Sequence, residues 1–307
     1  MSTKKQLLPL LRDQKKALEE AFDTSSIHVW QPIQLKKFLR NIKALGSILY
    51  LTSLSVNDVI AFLIEESYLK RIEFLTPRKE ILFIWQNVNE YKLLFSLRPK
   101  GYFTHLSAMY FNGLINKEPN TIYFNNEQPS RPVSGTLEQI RIDNSFNKSQ
   151  RITTARTNYF GRKLYLLNGK HTGNYGTMSI KVPDGVDLIV ADLERTLIDI
   201  VVRPAYSGGV KSILQAYRLA QPIVSINKLA LTLRALKYAY PYHQSIGFYI
   251  DTAGVYDQSA CLEFANFAPI EYNFYLDYKI INPAYSEKWK IYYPHDMMRF
   301  SGSQDIS

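Results

Sequence analysis

The chain has 307 residues, a formal net charge of +10, 46% hydrophobic and 21% charged residues. This balance supports a core of domain size and excludes a disordered chain, while the positive excess favours a polyanionic partner, nucleic acid before a membrane surface. The single cysteine, Cys261, excludes an intrachain disulfide and sits in an apolar run read as core. No run approaches the roughly 18 apolar residues of a spanning helix, and the N-terminus carries no apolar leader, so a cytoplasmic protein with no membrane partner is expected.

In chain order, Leu7, Leu8, Leu11, Leu18 and Phe22 stand among lysines and glutamates over residues 4–22 and predict an amphipathic lead helix, broken by Asp23-Thr24-Ser25-Ser26. Pro32 opens a second helix that runs to Leu45 before Gly46. Its apolar face is Ile33, Leu35, Phe38, Leu39, Ile42 and Leu45, and its polar face is Lys36, Lys37, Arg40 and Lys43. Ser55 caps a third helix from Val56 to about Ser67, with Val59, Ile60, Phe62, Leu63 and Ile64 inside. Strands over 68–75 and 80–86 flank Thr76-Pro77-Arg78-Lys79, a turn with two cations at its tip. Helix, helix and basic-tipped hairpin is the order of a winged helix-turn-helix. In that reading Lys36, Lys37, Arg40, Lys43, Lys70, Arg71, Arg78 and Lys79 meet DNA phosphates, and Ser53, Ser55 and Asn57 reach base edges. The third helix ends in Glu65-Glu66 and has no Arg or Lys, which leaves its first turn as the reading surface. The alternative is a winged helix used for protein packing.

A helix over 90–97 leads to Arg98-Pro99-Lys100-Gly101, a hinge between an N-terminal domain of residues 1–97 and a larger domain of residues 98–307. His105 then starts a helix that Gly113 ends. A strand is expected over 120–126, while residues 135–142 leave helix and loop both open. Lys148, Arg151, Arg156, Arg162, Lys163 and Lys170 form a run without an acid. Such a run is usually a solvated hairpin face; the alternative is a second polyanion patch with Tyr159, Phe160 and Tyr165 as stacking partners. Strands over 177–182 and 188–191 precede a helix for which Asp192 is the N-cap. Leu193, Leu197, Ile198, Val201 and Val202 make its buried stripe, Arg195 and Asp199 stand four apart as an ion pair, and Glu194 lies at the positive helix end. Pro204 stops the helix, Ser207-Gly208-Gly209 turns the chain, and helices follow over 210–220 and from Ser225 or Asn227 to Tyr238 before Pro241. Residues 246–251, 273–281 and 289–293 read as strands of a closing sheet, and 301–307 as a frayed end. The expected class is α+β, an N-terminal winged helix-turn-helix followed by a larger mixed α/β domain.

No phosphate loop, dinucleotide glycine motif, nucleophile elbow or paired-cysteine zinc site occurs, and the five histidines lack ligand spacing, so neither cofactor nor metal is expected. Gly46-Ser47 is followed by Ile-Leu-Tyr-Leu rather than the paired acids of a nucleotidyltransferase. Asp277-Tyr278-Lys279, on an expected strand, has the acid-x-Lys form of restriction-type nucleases, with Asp251 or Glu263 as upstream carboxylates for a divalent metal. Glu90-Tyr91-Lys92 repeats the form, which shows how little the triplet specifies.

By spacing alone the 191–209 stretch is a scaffold helix. Yet Ala191-Asp192-Leu193-Glu194-Arg195-Thr196-Leu197-Ile198-Asp199, followed by Pro204, Tyr206, Gly208 and Gly209, resembles the signature of the AbiEi family. Those proteins are antitoxins of type IV toxin-antitoxin systems, associated with abortive infection by phage. The segment Tyr102 to Leu114, with its aromatic, its His-x-Ser-Ala start at His105 and Ser107 and its Gly-Leu end at Gly113, resembles the same family. The likeness spans most of residues 30–220 and stops there. It implies a non-enzymatic antitoxin that also represses its own promoter at inverted-repeat operator DNA, and that opposes a nucleotidyltransferase-like toxin without needing a stable complex. Glu194, Arg195 and Asp199 are expected to hold that domain together rather than to act chemically. Two other classes stay open: a metal-dependent nuclease, and an interaction module that binds a toxin directly.

Overall fold

Two cores form, one on each side of the Pro99–Lys100 bond, in a computed structural model that describes residues 9–25, 27–74, 79–86, 88–130 and 135–298. In the first unit, α1 (Lys15–Asp23) buries Leu18 and Phe22, and a separate helical turn over 9–12 buries Leu11. The expected continuous lead helix is therefore interrupted at Asp13-Gln14, and residues 4–8 lie outside the described chain. In α2 (Pro32–Leu45), Gln31 and Gln34 exchange cap hydrogen bonds and left-handed Gly46 closes the far end. Its buried stripe is Leu35, Leu39 and Ile42; Ile33 and Leu45, expected inside, are 76% and 78% exposed because they fall on the terminal turns, beyond the packed face. A 3-10 turn over Leu51–Ser53 leads to α3 (Val56–Glu65), where Ser55 Oγ accepts from the Asp58 amide.

Strands β1 (Val29–Trp30), β2 (Leu69–Phe74) and β3 (Glu80–Trp85) form an antiparallel sheet in the order β1-β3-β2, with Lys70 opposite Ile84 and Phe74 opposite Glu80. Phe22 stacks on Trp85 with ring centroids 4.1 Å apart, and Trp85 Nε1 donates to Asp23 at 2.9 Å, so the sheet is fastened to α1. Asn89 caps α4 (Glu90–Leu97), after which Arg98 forks onto Glu80 at 2.9 and 3.0 Å.

The second unit is built on a six-stranded mixed sheet. Its strands are β4 (Tyr102–Phe103), β5 (Thr121–Asn125), β6 (Arg156–Tyr159), β7 (Arg162–Leu167), β8 (Thr177–Lys181) and β9 (Asp187–Ala191), in the order β6-β7-β5-β4-β9-β8. Short β4 is central: it runs antiparallel to β5 and parallel to β9, with Phe103 opposite Val190. Each of the two parallel strands turns at once into a helix, β4 into α5 (His105–Phe111) and β9 into α7 (Leu193–Val202). Between them in sequence, α6 (Gln139–Phe146) settles the 135–142 stretch as a helix displaced toward its C-terminal side.

Helices α8 (Gly209–Ala220), α9 (Ile226–Leu236), α10 (Tyr242–Ala253) and α11 (Gln258–Ala265) pack with α7 into one large core. Residues 246–251, expected as a strand, lie inside α10. Residues 242–250 are buried all round, so no helical period marks them, and the Ile-Gly-Phe-Tyr-Ile run mimics a buried strand. Gly247 faces the ring of Trp289, where a Cβ would lie 2.2 Å from a ring carbon. α9 stops at Leu236 because Lys237 turns left-handed, before Pro241 is reached. Of 273–281 only β10 (Phe274–Tyr275) is strand; it joins β11 (Pro283–Ser286) and β12 (Ile291–Pro294) in a small sheet of order β10-β12-β11. The architecture is α+β, and among the described residues no helix is long and apolar enough to cross a membrane.

Candidate functional site

The two strand-to-helix turns of the second unit bring His105, Asp192, Arg195 and Asp199 together. Asp192 caps α7 by accepting from the Arg195 amide at 2.8 Å. The Arg195 side chain is only 4% exposed, and every guanidinium nitrogen is used. Nε donates to Asp199 at 2.8 Å, Nη1 to the Tyr175 carbonyl at 2.6 Å and Thr172 Oγ1 at 3.2 Å, and Nη2 to the Tyr102 hydroxyl at 2.8 Å. Burial opposes the charge, but Asp199 outweighs it and holds Arg195 protonated. The Thr172 and Tyr102 hydroxyls both donate hydrogen bonds to Glu127, which also accepts from the Thr172 and Asn174 amides. Burial pushes the Glu127 carboxyl up; the Thr172 and Asn174 hydrogen bonds and the Arg195 charge overcome it and keep the group below the usual range. Gly176, at φ +74°, makes room for this arginine, since a Cβ there would lie 2.9 Å from Arg195 Cβ.

On the far side of the cap, Glu194 accepts from the Ser225 amide at 3.1 Å and from Lys228 Nζ at 2.7 Å, while Asp192 reaches the same ammonium at 2.9 Å. These bonds lock the N-termini of α7 and α9 together. Thr104 joins the network from β4 by donating to Asp199 at 2.9 Å, and its oxygen lies 3.1 Å from His105 Nδ1. His105 is 8% exposed, sits at φ +50°, and meets the edge of Tyr206 at 5.4 Å. Burial pushes its imidazole down to about 4, Arg203 and Arg195 add to that, and Asp199 opposes them. A neutral ring is the result, with Nε2 buried and without a hydrogen-bond partner among the described residues.

The other residues on which the sequence resemblance rested hold helices and turns in place. Ser107 Oγ accepts from the Tyr123 amide at 2.9 Å and pins α5 to β5. Gly113, Gly208 and Gly209 take positive φ at helix boundaries, and Pro204 opens a 3-10 turn over 204–206. Sequence reasoning missed Tyr102, Thr104, Glu127, Thr172 and Lys228, which approach Arg195 or its cap from distant segments. The Lys148–Lys170 run is divided: Arg162 bonds to Glu118, Lys170 Nζ turns onto the Leu236 and Lys237 carbonyls, and Tyr159 is buried.

In the first unit, Lys37 and Arg40 are exposed and Lys36 is half-exposed along one side of α2. Lys43 instead donates to the Leu54 carbonyl, so that ammonium serves the turn before α3 rather than a phosphate. Ser55 Oγ is committed to its cap, and Asn57 is exposed on the first turn. Lys70 and Arg71 are exposed on β2, but Glu73 takes both Arg71 at 2.9 Å and Lys79 at 2.5 Å, which leaves the hairpin less basic than its sequence. Arg78 lies outside the described residues.

The nuclease triplet does not sit on a strand: Asp277 and Lys279 fall in bends after β10, with Lys279 at φ +48°. Asp251 is on α10, engaged by Lys288 at 2.8 Å and Trp289 Nε1 at 2.9 Å. No group of three or more metal-ligating side chains occurs among the described residues. Cys261, expected as core, is half-buried on α11 with Sγ 3.8 Å from Asp251, on the rim of the apolar layer.

No protein-family model matches the chain, and no curated protein matches it. Its fold is similar to the crystal structure of the RV2827C protein from Mycobacterium tuberculosis, with a TM-score of 0.56 over 92% of each chain and 12% sequence identity. At that identity the likeness concerns the α+β fold alone.

Proposed function

We propose that the chain is a cytoplasmic DNA-binding autorepressor and a non-enzymatic antitoxin of the AbiEi type, opposing a nucleotidyltransferase-like toxin in phage defence. The observation that carries the DNA half is the acid-free side of α2: Lys36, Lys37 and Arg40 stand together there, beside a Ser55-capped helix and a two-stranded hairpin in winged-helix order. Such cations bind phosphates and set register, while the first turn of α3, with Asn57, meets bases. The antitoxin half is supported by the two segments that resemble the family, which meet in the Arg195 network.

A gel-shift titration tests the repressor: the protein is titrated against its own upstream DNA and a scrambled control at two salt concentrations. Preference for the upstream fragment is expected, with a salt slope that shrinks in the Lys36→Ala, Lys37→Ala, Arg40→Ala variant. Equal weak binding to both DNAs sinks the repressor. Co-expression with the adjacent toxin gene tests the antitoxin, which must restore growth.

A second reading has its own observation. The exposed stripe of α3 is Asn57, Ala61 and Glu65, with Asp58 beside it, a surface better suited to a basic protein than to a groove in DNA. Co-purification of the toxin with the wild type, lost on Glu65→Lys, would select that interaction module instead.

A further inference from the structure

Neither reading uses the cavity beside the Arg195 network. A cleft of about 400 Å³ opens there, bordered by Thr104, His105, Arg151, Arg203 and Tyr206. A second of about 550 Å³ adjoins it, and Gln128, Lys170, Arg203 and Tyr238 line both, so the two are lobes of one groove within the second unit. Their combined size is that of a small-molecule site.

The lobes differ in chemistry. Among the described residues the first gathers four cations, Arg151, Lys170, Arg195 and Arg203, around one carboxylate, Asp199. Arg195 and Asp199 are spent on one another, and Lys170 holds the carbonyl end of α9. Arg151 and Arg203 have no hydrogen-bond or ion-pair partner for their guanidinium groups among the described residues, which leaves two forked donors facing the cleft. The second lobe is walled by Tyr238, Tyr240, Tyr242 and Tyr278 and has no acidic side chain among the described residues that line it.

His105, on the wall of the first lobe, carries an orphaned nitrogen. The one hydroxyl proton of Thr104 goes to Asp199, so His105 Nδ1 must keep its own proton and donate it to the Thr104 oxygen. His105 Nε2 is therefore a bare acceptor on a ring more than nine-tenths buried beside the first lobe, with no donor among the described residues. A buried acceptor left without a donor costs folding free energy. A ligand hydroxyl would satisfy it.

Two unpaired guanidinium groups, one acceptor for a hydroxyl and a tyrosine-lined slot match three parts of one molecule. We infer that the second unit binds a free mononucleotide, with phosphates on Arg151 and Arg203, a ribose hydroxyl donated to His105 Nε2, and the base among the tyrosines of the second lobe. The inference uses no residue of the first unit, so it stands or falls apart from DNA binding.

Isothermal titration of the full chain with ATP, GTP, AMP, adenosine and inorganic phosphate tests it. Saturable binding of at least one nucleotide is expected, weaker for adenosine and for phosphate alone. Arg203→Gln should weaken it roughly tenfold, the loss of one charge-assisted phosphate contact. Arg151→Gln with Arg203→Gln should abolish it while the circular dichroism melt stays unchanged, because Arg151 is exposed and Arg203 half-exposed. Absence of saturable binding by every nucleotide overturns the site. Unchanged affinity in the double variant also overturns it, since binding would then lie elsewhere. Phosphate binding as tightly as nucleotide removes the base from the proposal and overturns it as stated. A 5′-phosphorylated oligonucleotide that binds more tightly than any mononucleotide, with the same Arg203 dependence, replaces the free nucleotide with a strand end.

Discussion

The two units handle charge in opposite ways. In the first, Lys37 and Arg40 stand in solvent on α2, clear of its buried stripe of Leu35, Leu39 and Ile42. In the second, Arg195, Asp199, Glu194 and Thr104 are each at least 96% buried and bonded on every side. Exposed charge is free to serve a partner and contributes little to stability; buried charge is held by the fold and holds the fold. Alteration of the first should change binding, and alteration of the second should change folding.

The largest expected effect breaks the buried side. Arg195→Met leaves Asp199 buried without its cation and strips Tyr102 and Thr172 of a donor, at a cost of about 3–5 kcal/mol in urea unfolding. Arg195→Met with Asp199→Leu should recover part of that loss. A single variant as stable as the wild type would remove the contrast.

The pH dependence comes next. The folded chain holds the His105 imidazole at about 4 against 6.5 for the free group, chiefly through burial. Above pH 6.5 both states are neutral and nothing is lost. As pH falls from 6.5 to about 4 the unfolded chain takes a proton that the folded chain refuses, so stability declines, by about 3 kcal/mol in full. Glu127, held below the usual carboxylate range, adds its loss only at lower pH. A denaturation series from pH 7.5 to about 4.5 should show a flatter slope for His105→Asn than for the wild type; parallel slopes would mean that the imidazole does not titrate as its burial requires.

Smaller effects belong to the first unit. Ser55→Ala removes the α3 cap and should cost about 1 kcal/mol, read as a lower melting temperature. Lys36→Ala, Lys37→Ala and Arg40→Ala should each move stability by less than about 0.5 kcal/mol, while their combination weakens DNA retention. Thermal melts and gel shifts on the same preparations would sharpen the contrast, and a large stability loss in these variants would blur it.

Local signals were legible and distant ones were not. Asp192 as cap and the Arg195–Asp199 pair follow from spacings of three and four residues, and both are present at 2.8 Å. Tyr102 reaches Arg195 from 93 residues away, and Thr172 reaches Glu127 from 45, distances that no window on the sequence spans. α10 was hidden for a different reason: a helix buried on every face has no polar side to set its period. Lys43 looked like its neighbours Lys36 and Arg40, and only the path of the chain through Leu54 distinguishes it.

The segment from Lys170 to Gly176 has the composition of a slack loop, with two glycines and an asparagine. Its Thr172 and Asn174 amides end on Glu127, the Tyr175 carbonyl on Arg195, the Gly176 carbonyl on the Asp192 amide, and the Asn174 side chain on the Lys100 carbonyl. The anchors on Glu127 and Arg195 cannot let go without leaving a carboxylate or guanidinium short of a partner. A protease offered this loop would wait for the whole domain to open, and the Thr172 and Asn174 amides should exchange their hydrogens as slowly as those of the strands beneath.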